Sequence, residues 1–334
     1  MVPGRRTEAQ LTSLSLRDFR NYANCRITID APNILLLGEN GAGKTNLMEA
    51  VSLLAPGRGL RRARAEHLPR QASGGDQWAV SADLLTSGET VRVGTGVTAD
   101  SDSGRRIMRR DGETVPQTEI GRLLSVSWLT PRMDGIFIDS PGARRRFLDR
   151  LVIAFDAAHI GRTNRYDKLL RERAALLAEG RVDESWLGAI EASLAESAIA
   201  VTAARQALIA DLNAEAAAGW FDFPGVRLAL DGMVETWLAE GSALQAEDRF
   251  IAVARERRMA GDAALAGPHA SDMTAVNSHT AAPAHLASTG QQKALLIAVV
   301  LAHARLPARR LGRPPLLVLD DVVARLDMAR LCVI

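Results

Sequence analysis

The residues best suited to chemistry lie at Gly38–Thr45, GENGAGKT, a complete match to G-x-x-x-x-G-K-[ST]. Gly38, Gly41 and Gly43 let the backbone wrap an anion with its N–H groups turned inward, and Glu39, Asn40 and Ala42 complete the cradle. A helix opening directly behind the loop adds partial positive charge at its first turn. Lys44 is placed to reach the outer phosphates of a nucleotide, and the Thr45 hydroxyl to ligate Mg2+. A second acidic site serves the same chemistry. Four apolar residues, Leu316–Leu319, end in Asp320 and Asp321. A carboxylate at the end of a buried strand can hold Mg2+ directly or through water, which suits Asp320. The next carboxylate, Asp321, can polarise an attacking water. Lys44 and Asp321 are therefore the catalytic candidates, with Thr45 and Asp320 as metal ligands. A third element, STGQQKALL from Ser288, reads by itself as a capped helix with Ser288 as the cap and Gly290 allowing close backbone approach.

These residues need particular elements to position them. Asn33–Leu37 is a continuous apolar run, as expected of a strand buried on both faces that delivers the chain into the glycine loop. A helical pattern runs from Lys44 to about Leu54. Before the loop, Leu11, Leu14 and Leu16 lie in a short strand-like run, and Cys25–Asp30 alternates with period two. Between residues 76 and 130 several short strands are expected, with an Asp111-Gly112 turn signal and a buried strand over Ser125–Thr130. Residues 141 to about 260 read as helix, interrupted at Gly219–Gly225 and resuming over Ser242–Met259. Residues 262–287 read as loops with one strand. A helix opens near Ser288, and Leu316–Leu319 supply a last buried strand.

The chain has 334 residues, enough for two domains of roughly 150 residues each. With 47% apolar and 24% charged residues it can bury a sizeable core. No run of about 18 apolar residues predicts a membrane span, and MVPGRRTEAQ has no apolar stretch typical of a secretory signal. Cys25 and Cys332 lie far apart and form no metal spacing, which fits a reducing cytoplasm. The net charge is only +2, yet the lysines are just Lys44, Lys168 and Lys293, so almost all the basic residues are arginines. Arginine's planar fork suits phosphate recognition. The clusters Arg58, Arg61, Arg62, Arg64 and Arg105, Arg106, Arg109, Arg110, with Arg144–Arg146, are candidates for neutralising DNA phosphates. They read equally as solvated arginines paired with neighbouring carboxylates. Aromatic residues at 4% argue against a stacking platform for single strands and favour contact with a duplex backbone.

A phosphate loop, a long insertion, an S-x-G-Q signature and an acidic strand, in that order, resemble an ABC-type ATPase head. More specific pieces resemble the RecF family. These are LTSLSLRDFRNY at the start, GRGLRRARAEHL over Gly57–Leu68, DSPGARRRFLDRLV over Asp139–Val152, and GPHASDM over Gly267–Met273. STGQQKALL and LLVLDDVVARLD complete the set. The resemblance implies an α/β P-loop ABC-type ATPase head with an inserted helical second domain. It divides the chain into head residues 1–140, a helical arm over 141–262, and the rest of the head over 263–334. It also implies ATP and Mg2+ as cofactors and an ATP-dependent head-to-tail dimer. Ser288, Gly290 and Gln291 then act on the nucleotide of the partner copy, and the resemblance also implies that Arg20 approaches the nucleotide, where by itself it reads as a surface arginine. Binding to duplex and gapped DNA, work with RecR and RecO in loading RecA, a cytoplasmic location and no membrane partner follow from the same resemblance.

The chain departs from the family pattern in places. Ala270 stands where the family motif carries an arginine, Arg132 lies where a Mg2+-sensing glutamine would be sought, and Asp321 replaces the glutamate common in ABC-type ATPases. After Asp327 only Met328–Ile334 remain, whereas the resemblance implies a further helix, a core strand and a terminal helix. The expectation is a shortened member of the family. Two other readings stand beside it: an ATP-binding scaffold with little or no hydrolysis, and, less well supported, a transporter ATPase subunit.

Overall fold

The computed structural model describes residues 10–98, 104–179, 183–217, 219, 223–311 and 314–321. The segment after Asp321, on which the shortened-chain expectation rests, and Cys332 lie outside the described residues. In chain order the strands are β1 (Gln10–Phe19), β2 (Tyr22–Thr28), β3 (Trp78–Thr86), β4 (Glu89–Val97), β5 (Ile107–Arg110), β6 (Glu113–Val115), β7 (Val126–Leu129), β8 (Val226–Asp231), β9 (Asp272–Asn277) and β10 (Leu316–Leu319). The helices are α1 (Lys44–Leu53), α2 (Gln117–Leu123), α3 (Pro141–Ile153), α4 (His159–Glu179), α5 (Glu184–Ala216), α6 (Met233–Glu240), α7 (Ala243–Met259) and α8 (Thr289–Leu311).

The chain forms two compact units. The first contains the described residues of Met1–Pro131, Ala154–Ala157 and Val300–Leu331. Its main sheet is antiparallel, in the order β2-β1-β3-β4-β5-β6. The period-two pattern explains the burial: Trp78, Val80, Ala82 and Leu84 of β3 all point inward. Phe19 packs a tilted ring against Trp78 at 5.6 Å. Asp111 and Gly112 both take positive φ, at 48° and 93°, and so turn β5 tightly into β6. A separate parallel pair, β7 with β10, carries Asp320 at its end, where the Asp320 amide donates to the Leu129 carbonyl at 2.9 Å.

The expected strand at Asn33–Leu37 is absent. No strand is formed there, and Ile34, Leu35 and Leu37 are 53%, 74% and 82% exposed. A strand buried on both faces needs ladder neighbours, and among the described residues none pairs with this segment. The apolar run therefore leads into the glycine loop as an irregular, exposed segment.

The second unit contains the described residues of Arg132–Ile153 and Ala158–Val299. The division departs from the expected boundaries, because residues 263–299 group with the helices rather than with the strand at 316–319. Leu194, Ala198 and Ile199 of α5 form its core with Tyr166 of α4, Val234 of α6 and Phe250 of α7. Asp183 caps α5, accepting from the amides of Ser185 and Trp186, and Ser242 with Gln245 forms a reciprocal capping box on α7. Arg173 is fully buried. It donates to Glu191 at 3.0 Å and to the carbonyls of Ala254 and Ala263, both at 2.9 Å, tying α4 to α5, to α7 and to the segment that follows α7. Two elements went unforeseen, β8 and α6. β8 pairs antiparallel with β9, and on its other edge the Leu228 amide and carbonyl bond the side chain of Asn213. By length and mean composition α5 is apolar enough to cross a membrane, although polar residues interrupt it and it holds no unbroken apolar run of that length. Over half of its most apolar window is buried inside the protein, as in the core helix of a folded domain.

Candidate functional site

The glycine loop owes its shape to its neighbours. Gly43 sits at φ 103°, a left-handed conformation that glycine accepts without strain. A Cβ there would lie 2.6 Å from both the Asn21 side-chain nitrogen and the Tyr22 hydroxyl. The hairpin turn between β1 and β2 therefore presses directly on the loop backbone. Helix α1 opens at Lys44, with the amides of Asn46 and Leu47 both directed to the Gly43 carbonyl. Lys44 folds back over its own loop, donating from Nζ to the carbonyls of Gly38 and Glu39 at 2.6 and 2.8 Å. The Thr45 hydroxyl has no hydrogen-bond partner among the described residues.

Arg20 and Asn21 form the two-residue turn ahead of β2, with Arg20 held at φ 54°. Non-glycine residues seldom adopt that conformation and keep it only where contacts enforce it. Here the contacts are plain. Arg20 donates from Nε and Nη2 to both oxygens of Glu49, at 2.9 and 2.7 Å, and from Nη1 to the His67 carbonyl at 2.8 Å. Glu49 is buried on α1. It also accepts from Arg61 at 3.2 Å, while Arg61 bonds the Asn46 side-chain oxygen at 2.7 Å. Asn46 and Glu49 are three residues apart on α1 and so share one face. The Asn46 amide nitrogen donates in turn to Asn21 at 2.7 Å.

The acidic pair belongs to the same unit. The carboxyl of Asp320 is pushed above its ordinary range, first by burial and then by repulsion from Asp321, with Arg61 and Lys44 pulling it back. The loop 38–45, Arg20, Arg61, Asp320 and Asp321 thus all lie in one compact unit, and Asp320 feels the charges of both Lys44 and Arg61. Asn21, Tyr22, Asn46 and Glu49 were not among the expected site residues. The F-R-N-Y string was the available signal for Asn21 and Tyr22, and nothing in the sequence singled out Asn46 or Glu49.

Ser288, Gly290 and Gln291 lie in the second unit, at the start of α8. The Ser288 amide donates to the Gln291 side chain at 3.0 Å and the Gln291 amide to the Ser288 hydroxyl at 3.4 Å, a reciprocal cap. All three residues are exposed. In the same unit Lys293 stands 3.6 Å from Asp134.

The arginine clusters divide by environment. Arg58, Arg62 and Arg64 are exposed, and the Arg64 side chain makes a 3.4 Å contact to Glu66. Arg105 is exposed as well. Burial lowers the pKa of Arg106 to about 10, and its guanidinium contacts the Met108 sulfur. Arg109 is half-buried on β5, and Arg110 pairs with Glu119 at 3.2 Å. Arg144 and Arg145 serve the second unit itself. Arg144 grips Asp272 with two bonds of 2.6 and 2.7 Å, and Arg145 donates to the Ser271 carbonyl at 2.7 Å. Arg205 adds a bond to the Pro268 carbonyl and two to Asp149, so the segment 267–272 is clamped from several sides. Ala270 is exposed within it, and Arg132 is exposed as well.

The family model described as RecF/RecN/SMC N terminal domain matches residues 10–334. The protein named DNA replication and repair protein RecF from Mesorhizobium japonicum is 41% identical over 329 residues, covering 97% of this chain and 86% of that relative. Its namesake from Rhizobium rhizogenes is 42% identical over 327 residues, covering 96% and 86%. Two solved structures of the recombination mediator protein RecF in the RecFOR pathway, one with ATP, superpose with a TM-score of 0.85 at 20% identity. They cover 97% and 100% of this chain, and they speak to its fold.

Proposed function

This chain belongs to the RecF family, and from that premise we propose that it binds ATP in the loop 38–45 and acts on DNA in replication and repair. The observation that carries this reading is the joint placement of Lys44, Thr45 and the strand-end pair Asp320 and Asp321 in one compact unit. The Lys44 ammonium exchanges its two loop carbonyls for phosphate oxygens. Burial and like charge disfavour the ionised form of Asp320, which is the environment a bound cation relieves. Thr45 and Asp320 would hold Mg2+, which would supply positive charge to offset that of the phosphates. Asp321 orients the attacking water, its short side chain making turnover slow.

The exposed Ser288, Gly290 and Gln291 suit contact with the nucleotide of a second copy, so ATP serves as the joint of a head-to-tail dimer. Duplex and gapped DNA is the polymer bound, through exposed arginines of which Arg58, Arg62, Arg64 and Arg105 are the leading candidates. RecR and RecO are the partners in loading RecA, and the cytoplasm is the place. The test is ATP hydrolysis by the purified chain with and without duplex DNA, beside Lys44→Ala. The reading expects DNA-stimulated turnover that vanishes in the variant, together with loss of ATP binding in a titration. Unchanged ATP affinity in Lys44→Ala overturns the assignment of the loop. A second reading, binding without appreciable hydrolysis, is favoured by one observation: residues 33–37, which deliver the loop, pair with no strand among the described residues. A folded protein that binds ATP without turning it over selects that reading.

A further inference from the structure

We propose that the solvent face of α7 is a self-complementary docking surface, on which α7 of a second copy of this chain lies antiparallel without any need for nucleotide. The core of the second unit takes only one side of this helix, through Ala246, Phe250 and Ala254. At 3.6 residues per turn, Leu244, Asp248, Ala252, Arg255 and Met259 fall on the opposite side. All of them are exposed, Leu244 by 67% and Met259 by 79%. A helix on the surface of a folded unit ordinarily gives that side to polar residues. Here Leu244, Ala252 and Met259 are apolar, and Ile251 beside them is half-buried. Asp248, Ile251, Ala252, Arg255, Glu256 and Met259 line a shallow, open depression along the helix.

The two charges within this stripe have no counterpart on their own chain. The side chains of Asp248 and Arg255 make no hydrogen bond or ion pair among the described residues, whereas Arg249 pairs with Glu240 and Arg257 with Asp262. Their helical neighbours supply none either. Leu244, Gln245, Ile251 and Ala252 stand three and four residues from Asp248, and Ile251, Ala252, Arg258 and Met259 from Arg255. A copy of the same helix does supply them. A two-fold axis between Ile251 and Ala252 sets Asp248 level with Arg255 of the second copy, and Arg255 level with its Asp248. The same axis sets Leu244 level with Met259 at both ends and Ile251 level with Ala252 in the middle. Apolar and charged positions thus obey one symmetry operator, as an isologous contact demands. A parallel pairing in register would instead oppose Asp248 to Asp248 and Arg255 to Arg255. The stripe is about 22 Å long, so the contact is small and belongs with weak associations.

The experiment is sedimentation equilibrium of the full chain without nucleotide, over a rising concentration series. It compares the parent, Asp248→Arg, Arg255→Asp, the double reversal, and an equimolar mixture of the two single variants, with melting curves to confirm folding. The parent is expected to dimerise reversibly. Each single reversal sets two like-charge pairs in the contact and is expected to weaken it on the order of tenfold. The double reversal is expected to associate like the parent. So is the mixture, because each single variant then meets its complement. If a reversal fails to fold, Ala252→Glu beside the axis decides by the same loss. Lys44→Ala is expected to associate like the parent, which keeps this contact apart from any joint made by ATP. A parent that stays monomeric up to about 0.3 mM overturns the proposal and leaves the face to a different partner. Association that ignores the single reversals, or that appears only with ATP, also overturns it. Loss in the single variants without recovery in the double reversal or the mixture does the same.

Discussion

Asp320 is the residue at which protonation and ligand binding meet. Its raised pKa means that the folded chain binds this proton more tightly than the unfolded chain does. The sign follows: the folded state is penalised as pH rises through and beyond the ordinary carboxylate range, once Asp320 must ionise. Asp320→Asn removes that penalty. The variant should melt at the parent's temperature near pH 4 and at or above it near neutrality, while losing any stabilisation of bound ATP by Mg2+. Melting curves across that range, with and without Mg2+ and ATP, check both halves. A variant less stable than the parent at neutral pH counts against the buried-acid account. At this scale the sequence was informative where chemistry is contiguous. GENGAGKT names its own task because its residues act as one backbone loop. Glu49 was hidden, because a lone glutamate in an apolar helix reads as an ordinary helix former. Its meaning comes from Arg20, which lies outside any helical spacing and is brought in by the hairpin turn.

Elements carry the next level. The sheet β1-β3-β4 was legible from period two, whereas Asn33–Leu37 was not, because burial of a strand on both faces depends on its neighbours and not on its own composition. β8 alternates Val226, Leu228 and Leu230 but is short and lies in a helical stretch, so the helix pattern on either side concealed it. Among the helices the strongest joint is Arg173 with Glu191, both buried, with two backbone carbonyls completing the set. Removing only the arginine leaves a buried carboxylate without its closest partner. Arg173→Ala should therefore cost about 3–5 kcal/mol in denaturant unfolding, whereas a matched apolar replacement of both residues should recover most of that loss. Arg258 stands 3.7 Å from the same carboxylate and places the expected cost at the lower end of that range.

For the whole molecule, the arginine richness visible in the composition resolves into two uses. Arg144, Arg145, Arg173 and Arg205 hold the second unit together. Arg58, Arg64 and Arg105 are exposed and available to phosphates. Alanine at Arg58 or Arg64 should lower the steepness of DNA affinity against log salt by about one unit each with no change in melting temperature. Arg144→Ala should do the reverse, lowering the melting temperature and leaving the salt slope intact. Composition alone could not separate these groups, since pairing within the fold is what distinguishes them. The family resemblance, spread over ordered motifs from Leu11 to Asp327, was legible, and the comparisons bear it out.

Asn213 has a consequence of its own. Its side-chain amide offers Leu228 both a carbonyl and an N–H, the same two groups that a neighbouring strand would bring. A two-stranded ribbon with a bare outer edge is a template on which another chain can zip. By imitating a single peptide group, Asn213 ends the ladder after one rung and keeps foreign strands from continuing it, so this one amide protects solubility as well as stability.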